Sequence, residues 1–363
     1  MSSSWDSFTH ELAPPSNWAI FSRSTIHADS AWNFTKGDKS VLIAVIDTGL
    51  DLSHPAIAHS IWVNPGETGI ADYEECIKDS KAKLCNKSSN EIDDDTNGYI
   101  DDVQGWNFAD DSNQVTDNLG HGTHVTGIIS GQFNLALRTS GVAPNVSIIP
   151  IEYYSKNKTD AAIPQLIKSI TYAIKQKVRI INFSLGGGCF SEAEFELVKK
   201  THDLNILVVA AAGNEYSDIS QHPFYPASYN LDNIISVASL DVNNSITSSS
   251  NYGKKVDIAA PGDAILSSLP NNSYGWMSGT SMATPFVTGV AGLILSINPK
   301  LSPQEVKSIL MDSADRLPQL ADKVSSGKLN AFKAVALVAK RPWTCSESED
   351  LILPKFLRFP ANI

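Results

Sequence analysis

Short apolar runs of strand length alternate with stretches of helical periodicity along most of the chain. The runs are rich in β-branched residues and carry no alternating polar face, which is typical of strands buried on both faces of a parallel sheet. Because parallel strands are joined by crossover connections, this alternation predicts one large α/β domain. The predicted strands are Val41–Ile46, Val146–Ile151, Val178–Phe183, Ile206–Ala210 and Ile234–Val237.

Apolar residues at helical spacing lie between these strands. In the clearest case they recur three and four positions apart from Ile163 to Ile174, and Pro164 falls in the first turn, where a missing N–H costs little. The other predicted helices are Glu192–His202, Ser302–Met311 and Gly327–Ala339.

The two ends of the chain differ from its middle. Residues 1–23 contain prolines and aromatic residues without a clear period, and residues 341–363 contain three prolines. We therefore expect an N-terminal extension over 1–23, a folded domain over 24–340 and a C-terminal surface tail over 341–363.

The composition narrows the classes of partner. The chain has 363 residues, 42% of them hydrophobic, so it can bury a sizeable core. With 28 Lys and Arg against 39 Asp and Glu, its formal charge is −11, and it has no run of basic residues. Such a chain is a poor candidate for nucleic acid, and its longest apolar runs are too short or too rich in glycine to cross a bilayer. We expect neither a nucleic-acid partner nor a membrane span.

Three glycine-bracketed motifs each carry one reactive side chain. Asp47 ends the first strand, His121 stands between two glycines at the start of a helical stretch, and Ser281 opens an apolar helix that runs to Ile297. Each residue alone has an ordinary explanation. Asp47 could be a turn aspartate, His121 a core histidine or one half of a metal pair with His124, and Ser281 a helix cap. Together they supply the nucleophile, base and carboxylate that a neutral serine needs for covalent catalysis.

On these motifs the chain resembles the subtilisin-like serine proteases, or subtilases. The resemblance runs from about Trp18 to about Ala339 and keeps the order Asp, His, Ser for which subtilisin itself is known. It implies a three-layer α/β/α fold around a mostly parallel, twisted central sheet, and the activity of a serine endopeptidase. The matching segments are Ala44–Gly49, Gly120–Gly127, Ser184–Gly187, Ala210–Glu215, Tyr225–Ala227, Ala259–Gly262 and Gly279–Pro285.

The resemblance also assigns roles to single residues. Ser281 would attack the scissile carbonyl, His121 would move the proton, and Asp47 would orient His121. Asn214 aligns with the asparagine that, together with the Ser281 N–H, would stabilise the oxyanion.

Two segments would form the walls of the pocket for P1, the substrate residue whose carbonyl is attacked. Small residues occur in both walls and leave room for a bulky side chain, which leads us to expect broad activity with an apolar or aromatic P1. Glu215 at the rim could favour a basic P1 instead. The wall residues are Ser184, Leu185 and Gly186 on one side, and Ala211, Ala212 and Gly213 on the other.

An acidic loop from Asp93 to Asp102 resembles the start of a calcium-binding loop, with alternate oxygen ligands before a glycine. Many subtilases carry similar loops, and so many carboxylates in one short loop repel one another without a cation. We expect a structural Ca²⁺ here; the alternative is a solvated acidic turn. The candidate ligands are Asp93, Asp95, Asn97, the Tyr99 carbonyl, Asp101 and Asp102.

Four cysteines and the calcium loop bear on localisation. A bridge between Cys76 and Cys85 around a short polar stretch is our first expectation, and one between Cys189 and Cys345 the second; four free thiols are the alternative. Because Met1 is followed by polar residues, we expect no signal peptide in this sequence. Calcium and paired cysteines favour a mature extracellular or periplasmic protein.

Two rival functions differ in chemistry from an endopeptidase. A catalytically idle binding module would not need all three reactive residues and Asn214. An esterase on an α/β-hydrolase fold would place Ser before the acid and the His, within a G-x-S-x-G turn, whereas Ser281 is followed by Met-Ala. A precursor-processing subtilase with narrow specificity stays open. We expect peptide or protein substrates, a pro-domain or protein inhibitor as a further partner, and a monomer.

Overall fold

The protein is described by a computed structural model that covers residues 18–21, 26–72, 85–154 and 163–339. Its centre is a seven-stranded, entirely parallel sheet with the order β2-β3-β1-β4-β5-β6-β7. An antiparallel hairpin, β8–β9, stands beside it. The strands are β1 (Leu42–Asp47), β2 (Trp106–Asn107), β3 (Ser147–Glu152), β4 (Ile180–Phe183), β5 (Leu207–Ala211), β6 (Ile234–Leu240), β7 (Ile258–Pro261), β8 (Ile265–Leu269) and β9 (Ser273–Met277).

Helices cover both faces of the sheet, which gives three layers. Helices α3, α6, α7 and α8 contribute to the larger core on one face, and α4 and α5 to a second core on the other. The helices are α1 (Trp18–Phe21), α2 (Ala28–Ala31), α3 (His121–Ser130), α4 (Ile163–Lys175), α5 (Glu192–Asp203), α6 (Thr280–Ile297), α7 (Pro303–Asp312) and α8 (Ala331–Ala339).

Strand β1 shows why its sequence is apolar from Leu42 to Ile46. Ile43 and Val45 lie in the larger core, whereas Ala44 and Ile46 lie in the core on the opposite face. A strand covered on both sides has no solvent-facing set of residues, so the alternation of polar and apolar positions disappears. The predicted α/β/α architecture is confirmed.

The predicted elements are confirmed with shifted ends. The five predicted strands and the predicted helices are all present, and their boundaries differ from the predicted ones by at most four residues. The clearest signal is at α7, where Ser302 caps the helix and Glu305 bonds back to the Ser302 N–H, forming a capping box. Pro303 follows at the first helical position, where its missing N–H is harmless.

Two core residues and one cysteine bear on the predicted chain ends and cysteine pairs. Trp18 and Ile20, inside the segment predicted as an extension, are 2% and 1% exposed and belong to the larger core, so a boundary at residue 23 cuts through core residues. The predicted surface tail over 341–363 lies outside the described residues. Cys189 is an exposed free thiol, so its predicted pairing with Cys345 is wrong.

Helix α6 alone among the described helices has the length and hydropathy of a membrane span. Its sequence is apolar on every side because it packs against strands β4 to β7 and against α3. In the structure 83% of the segment is buried within the protein, as in the core helix of an α/β domain.

Candidate active site

The carboxyl edge of the sheet brings together segments that lie far apart in the sequence. Asp47 is the last residue of β1, and Ser184 directly follows β4, the strand next to β1. Neighbouring strands are about 4.8 Å apart, so side chains at their ends are close. Helices α3 and α6, which begin with His121 and Thr280, pack against each other above this edge. This is where open parallel sheets bind their ligands.

A short hydrogen bond joins Asp47 to His121. Asp47 Oδ1 and His121 Nδ1 are 2.7 Å apart, and the carboxylate is 2% exposed. Because the carboxylate can only accept, Nδ1 carries the proton, and Nε2 is left as the basic nitrogen. Burial by itself lowers the pKa of His121, but the charge and hydrogen bond of Asp47 and the charge of Asp117 outweigh it, so the pKa is raised. His121 is thereby held as a base.

His124 has a different role from His121. Its side chain is fully buried, and Nε2 lies 3.0 Å from the Ile265 carbonyl and 3.2 Å from the Gly275 carbonyl in the β8–β9 hairpin. Burial, followed by the nearby His121, lowers the pKa of His124 to about 3. It is a neutral core histidine that ties α3 to the hairpin, and the two histidines do not form a metal pair.

Asp117 fixes the N-terminal end of α3. Its Oδ1 accepts the Gly120 N–H at 2.7 Å and the Thr48 hydroxyl at 2.9 Å, and its Oδ2 accepts the N–H and hydroxyl of Thr123 at 2.8 and 2.7 Å. The Thr48 hydroxyl oxygen accepts the Gly122 N–H at 3.0 Å. A buried negative charge at a helix N-terminus is favoured by the helix dipole. The helix start is therefore locked to the end of β1.

Ser281 lies in the first turn of α6 but does not cap it, because Gly279 is the N-cap residue. Its hydroxyl donates to the Ser184 carbonyl at 2.9 Å, and the Ser184 hydroxyl donates to the Ser281 carbonyl at 2.9 Å. Asn182 extends this chain inward: its Nδ2 donates to the Ser184 hydroxyl at 2.9 Å and its Oδ1 accepts the Thr288 hydroxyl at 2.7 Å. A buried polar network thus attaches α6 to β4.

Asn214 faces the same helix start from the end of β5. Its Oδ1 accepts the Thr280 N–H at 2.9 Å and the Thr280 hydroxyl at 3.1 Å. A backbone N–H can only donate, so it fixes which end of the amide is oxygen and leaves Nδ2 as a donor on the other side. The Ser281 N–H makes no hydrogen bond within the described part of the chain. Two donors are therefore available beside Ser281.

The segments predicted as substrate walls follow two neighbouring strands, β4 and β5. The first wall becomes more exposed along its length, whereas the second is buried. They consequently stand side by side at the carboxyl edge, beyond the last pairs of the sheet. They are Ser184, Leu185 and Gly186 after β4, and Ala211, Ala212 and Gly213 at the end of β5.

The acidic loop gathers three carboxylates, of which two were predicted. Oxygen atoms of Glu67, Asp93 and Asp95 lie within 4.8 Å of one another. The Asn97 N–H donates to Asp93 Oδ1 and Asp95 Oδ1, both at 3.0 Å, which orients the two carboxylates. Glu67 Oε2 is buried with no hydrogen-bond partner, and burial raises the pKa of Glu67 to about 7. These three carboxylates supply only part of the oxygen shell that a calcium ion takes.

The other predicted ligands lie outside this group. Asp102 is fully buried and accepts the Tyr172 hydroxyl at 2.6 Å, and burial raises its pKa to about 6. Asp101 Oδ2 accepts the Glu91 N–H at 3.1 Å. The Tyr99 ring packs edge-on against Tyr172 with centroids 5.0 Å apart. Of these residues, Asp102 is linked to the group indirectly, through a hydrogen bond from Asn97.

Sequence reasoning missed Asp117 and Glu67, and it missed Phe224, whose ring atoms lie close to Gly186 and Gly213 of the two wall segments. Asp117 precedes the His-containing helix by four residues and could have been found as a helix-start carboxylate. Glu67 is 26 residues before Asp93, and Phe224 is 38 residues after Gly186, so no local pattern marks either of them.

Glu152 is a further buried carboxyl at this edge, since it ends β3 and pairs in register with Asp47. It is 1% exposed, and its Oε2 accepts the Thr116 N–H at 2.9 Å. Burial raises the pKa of Glu152 to about 7 from an ordinary value of 4.5. The folded protein thus holds a proton that the unfolded chain has already lost.

Comparison with known proteins gives a consistent picture. A family model described as the subtilase family matches residues 38–332. Thermitase of Thermoactinomyces vulgaris is 32% identical over 310 residues, a match that covers 85% of this chain and 93% of that protein. The thermophilic serine proteinase of Bacillus sp. strain AK1 is also 32% identical, over 85% of this chain and 65% of its own length.

Two further matches extend the range of relatives. Subtilisin-like protease 1 of Plasmodium falciparum is 35% identical over 83% of this chain, which spans 44% of that longer protein. Among solved structures, a cold-adapted subtilisin-like serine proteinase superposes with a TM-score of 0.61 at 27% identity, covering 81% of this chain and 89% of its own. The fold and the sequence therefore point to the same family.

We predict that Glu152→Gln removes a pH-dependent loss of stability. Between about pH 4.5 and pH 7 the unfolded chain is ionised at Glu152 while the folded protein is not, so the parent's free energy of unfolding falls as pH rises. The loss is on the order of 2–3 kcal/mol. Denaturant unfolding at several pH values, in a Ser281→Ala background that prevents self-digestion, should show the parent and variant diverging over this window.

The exposed Glu196→Gln change serves as control and should leave the parent's pH dependence unaltered. Parallel curves for Glu152→Gln and the parent would show that Glu152 ionises normally in the folded protein.

Proposed function

Because the chain belongs to the subtilase family, we propose that it is a serine endopeptidase acting through Ser281, His121 and Asp47. The observation that carries this proposal is the 2.7 Å bond between Asp47 and His121, at the same sheet edge as Ser281. The relatives named as serine proteinases support the reaction class. The chain spans 65% of one such relative and 93% of thermitase, so their activity is carried over as part of the proposal.

The reaction begins with attack of Ser281 Oγ on the substrate carbonyl. His121 Nε2 accepts the hydroxyl proton, and the Asp47 carboxylate stabilises the imidazolium that forms. The substrate oxygen becomes an oxyanion and accepts hydrogen bonds from the Ser281 N–H and from Asn214 Nδ2. Since Thr280 already fixes the Asn214 amide, this donor needs no reorganisation during the reaction.

The acyl-enzyme then forms and is hydrolysed. His121 returns its proton to the leaving amine, which departs and leaves the acyl group on Ser281. A water molecule enters, gives a proton to His121 Nε2, and attacks the ester, so that the second product leaves and Ser281 regains its proton. Before attack the Ser281 hydroxyl must turn away from the Ser184 carbonyl to which it donates.

The acidic loop is proposed as a structural calcium site. Carboxylate and amide oxygens are the ligands that calcium prefers, and Glu67, Asp93 and Asp95 converge with Asn97 beside them. The unpartnered Glu67 Oε2 is a buried acceptor that a cation would satisfy. Calcium at this position would neutralise the mutual repulsion of the carboxylates and hold the loop. Asp101, Asp102 and the Tyr99 carbonyl remain further candidates.

The disulfide, the localisation and the partners complete the proposal. Cys85 is disulfide-bonded, which supports the pairing with Cys76, a residue outside the described ranges. A disulfide and a calcium site together favour an extracellular or periplasmic protein. Peptide or protein substrates are the partners, with a pro-domain or protein inhibitor as a second class, and the working form is a monomer. The shape of the P1 pocket is the feature that distinguishes an enzyme of broad specificity from one that processes a single precursor.

We predict that Ser281→Ala abolishes proteolysis because no other hydroxyl can take the place of the nucleophile. The expected loss of kcat is about 10⁶-fold, the size measured for the same change in subtilisin itself. Casein hydrolysis and labelling by a fluorophosphonate probe should both disappear. Ser296→Ala, on the same helix, should retain both, since that hydroxyl donates only to the Gly292 carbonyl.

Other outcomes identify the rival functions. Labelling of the wild type without proteolysis would indicate an esterase, and neither labelling nor proteolysis would indicate a binding module. Cleavage that persists in Ser281→Ala would rule out the proposed mechanism.

Calcium should raise the melting temperature. At 100 times its dissociation constant, a ligand of the folded state adds about 2.7 kcal/mol, which corresponds to about 4 °C in a domain of this size. Melting of the Ser281→Ala protein in calcium and in chelator measures this difference. Asp95→Asn should reduce it, whereas the exposed Asp312→Asn should not. Equal melting temperatures in calcium and in chelator would contradict the site.

A further inference from the structure

The ring of Phe224 stands between the two wall segments of the P1 pocket. A Cβ added to Gly186 would lie 2.4 Å from Phe224 Cε1 and 3.0 Å from Cδ1. A Cβ added to Gly213 would lie 2.8 Å from Phe224 Cδ2. These atoms belong to opposite edges of one ring, so the ring spans the gap from wall to wall.

Hydrogen bonds hold in place the chain segment that carries the Phe224 ring. Gly187 and Tyr225 exchange both their N–H···O bonds, at 2.9 and 2.7 Å, which holds the Phe224 segment against the first wall. The Phe224 N–H donates to Ser228 Oγ at 2.9 Å, and the Phe224 carbonyl accepts the Ser228 N–H at 2.8 Å. The ring also packs against a buried apolar cluster that includes Ile219.

Polar groups beside Gly213 of the second wall narrow the gap between the two walls further. A Cβ on Gly213 would also meet Asn251 Nδ2 at 2.3 Å and Glu215 Oε2 at 2.7 Å. Asn251 Nδ2 donates to the Ala212 carbonyl at 2.9 Å and to Glu215 Oε2 at 2.7 Å, so these groups are held in position. Little space is left between the walls for a substrate side chain.

We propose that Phe224 forms the floor of a shallow P1 pocket and restricts P1 to small residues such as Gly, Ala and Ser. This inference rests on the proposed endopeptidase function and deepens it. The expectation of a bulky apolar or aromatic P1 assumed that small wall residues leave their space to the substrate. In this chain Gly186 and Gly213 instead lie against the ring of Phe224, which is half-buried.

The same geometry bears on a basic P1. The Glu215 carboxylate is exposed and bonded to Asn251. Because the Phe224 ring and the Glu215 carboxylate both lie beside Gly213, a Lys or Arg side chain that paired with Glu215 there would compete with the ring for the same space. Small uncharged residues therefore remain the favoured class.

The test compares chromogenic tetrapeptides that differ only at P1. We expect wild-type kcat/KM for P1 Ala to exceed that for P1 Phe by about tenfold or more, because the aromatic ring finds no space. Phe224→Ala should lower this ratio by at least about tenfold through faster cleavage of the P1 Phe peptide. Labelling by a fluorophosphonate should be equal in the two proteins, which shows that the variant is folded and reactive.

Phe332→Ala is the matched control, since it removes another half-buried ring, on α8, that contacts Phe34 and not the pocket. It should keep the wild-type ratio. Wild-type preference for P1 Phe, or a ratio unchanged in Phe224→Ala, would overturn the inference while leaving the endopeptidase function intact. Absence of both labelling and hydrolysis in the wild type would overturn the proposed function and this inference with it.

Discussion

The bond between the Asp47 carboxylate and the His121 imidazole constrains everything else at the site. Asp47 Oδ1 accepts both this bond and the Thr48 N–H, while Oδ2 is buried without a hydrogen-bond partner. A buried carboxylate with one unpartnered oxygen gains most when the imidazole becomes positively charged. The cost of burying Asp47 is therefore offset in the state that catalysis requires.

Close approach of α3 to β1 makes this bond possible and explains the glycines around His121. A Cβ on Gly122 would lie 2.1 Å from the Gly49 carbonyl oxygen and 3.2 Å from Asp47 Cβ. A larger residue would push the helix away from the strand and lengthen the Asp47–His121 contact. Asp117 then holds the helix start in place, so the site depends on a network within the protein scaffold as well as on the reacting groups.

Sequence reasoning predicted the parts of the site that local patterns encode. Strand β1 and Asp47 are marked by a continuous apolar run that ends in an acid before a glycine, and Ser281 by a glycine turn before an apolar helix. Phe224 and Glu67 were not predicted, because each reaches its site through contacts between distant segments. The wall residues remain a prediction, and their local sequence could not reveal that the distant Phe224 ring lies beside Gly186 and Gly213.

In the proposed enzyme, chemistry and specificity reside in different parts of the chain. The proposed reacting groups lie at the ends of β1, α3 and α6, whereas Phe224, the proposed floor of the P1 pocket, lies in the segment after β5. Changes in that segment can alter the substrate without touching the relay of Asp47, His121 and Ser281. This separation is common where loops carry specificity on a rigid α/β scaffold.

The most direct measurement is a crystal structure of the protein after reaction with a peptide chloromethyl ketone that carries Ala at P1. We predict covalent bonds from the inhibitor to both Ser281 Oγ and His121 Nε2, with the former carbonyl oxygen within hydrogen-bond distance of Asn214 Nδ2. Attachment to any other pair of residues, or an oxygen directed away from Asn214, would contradict it.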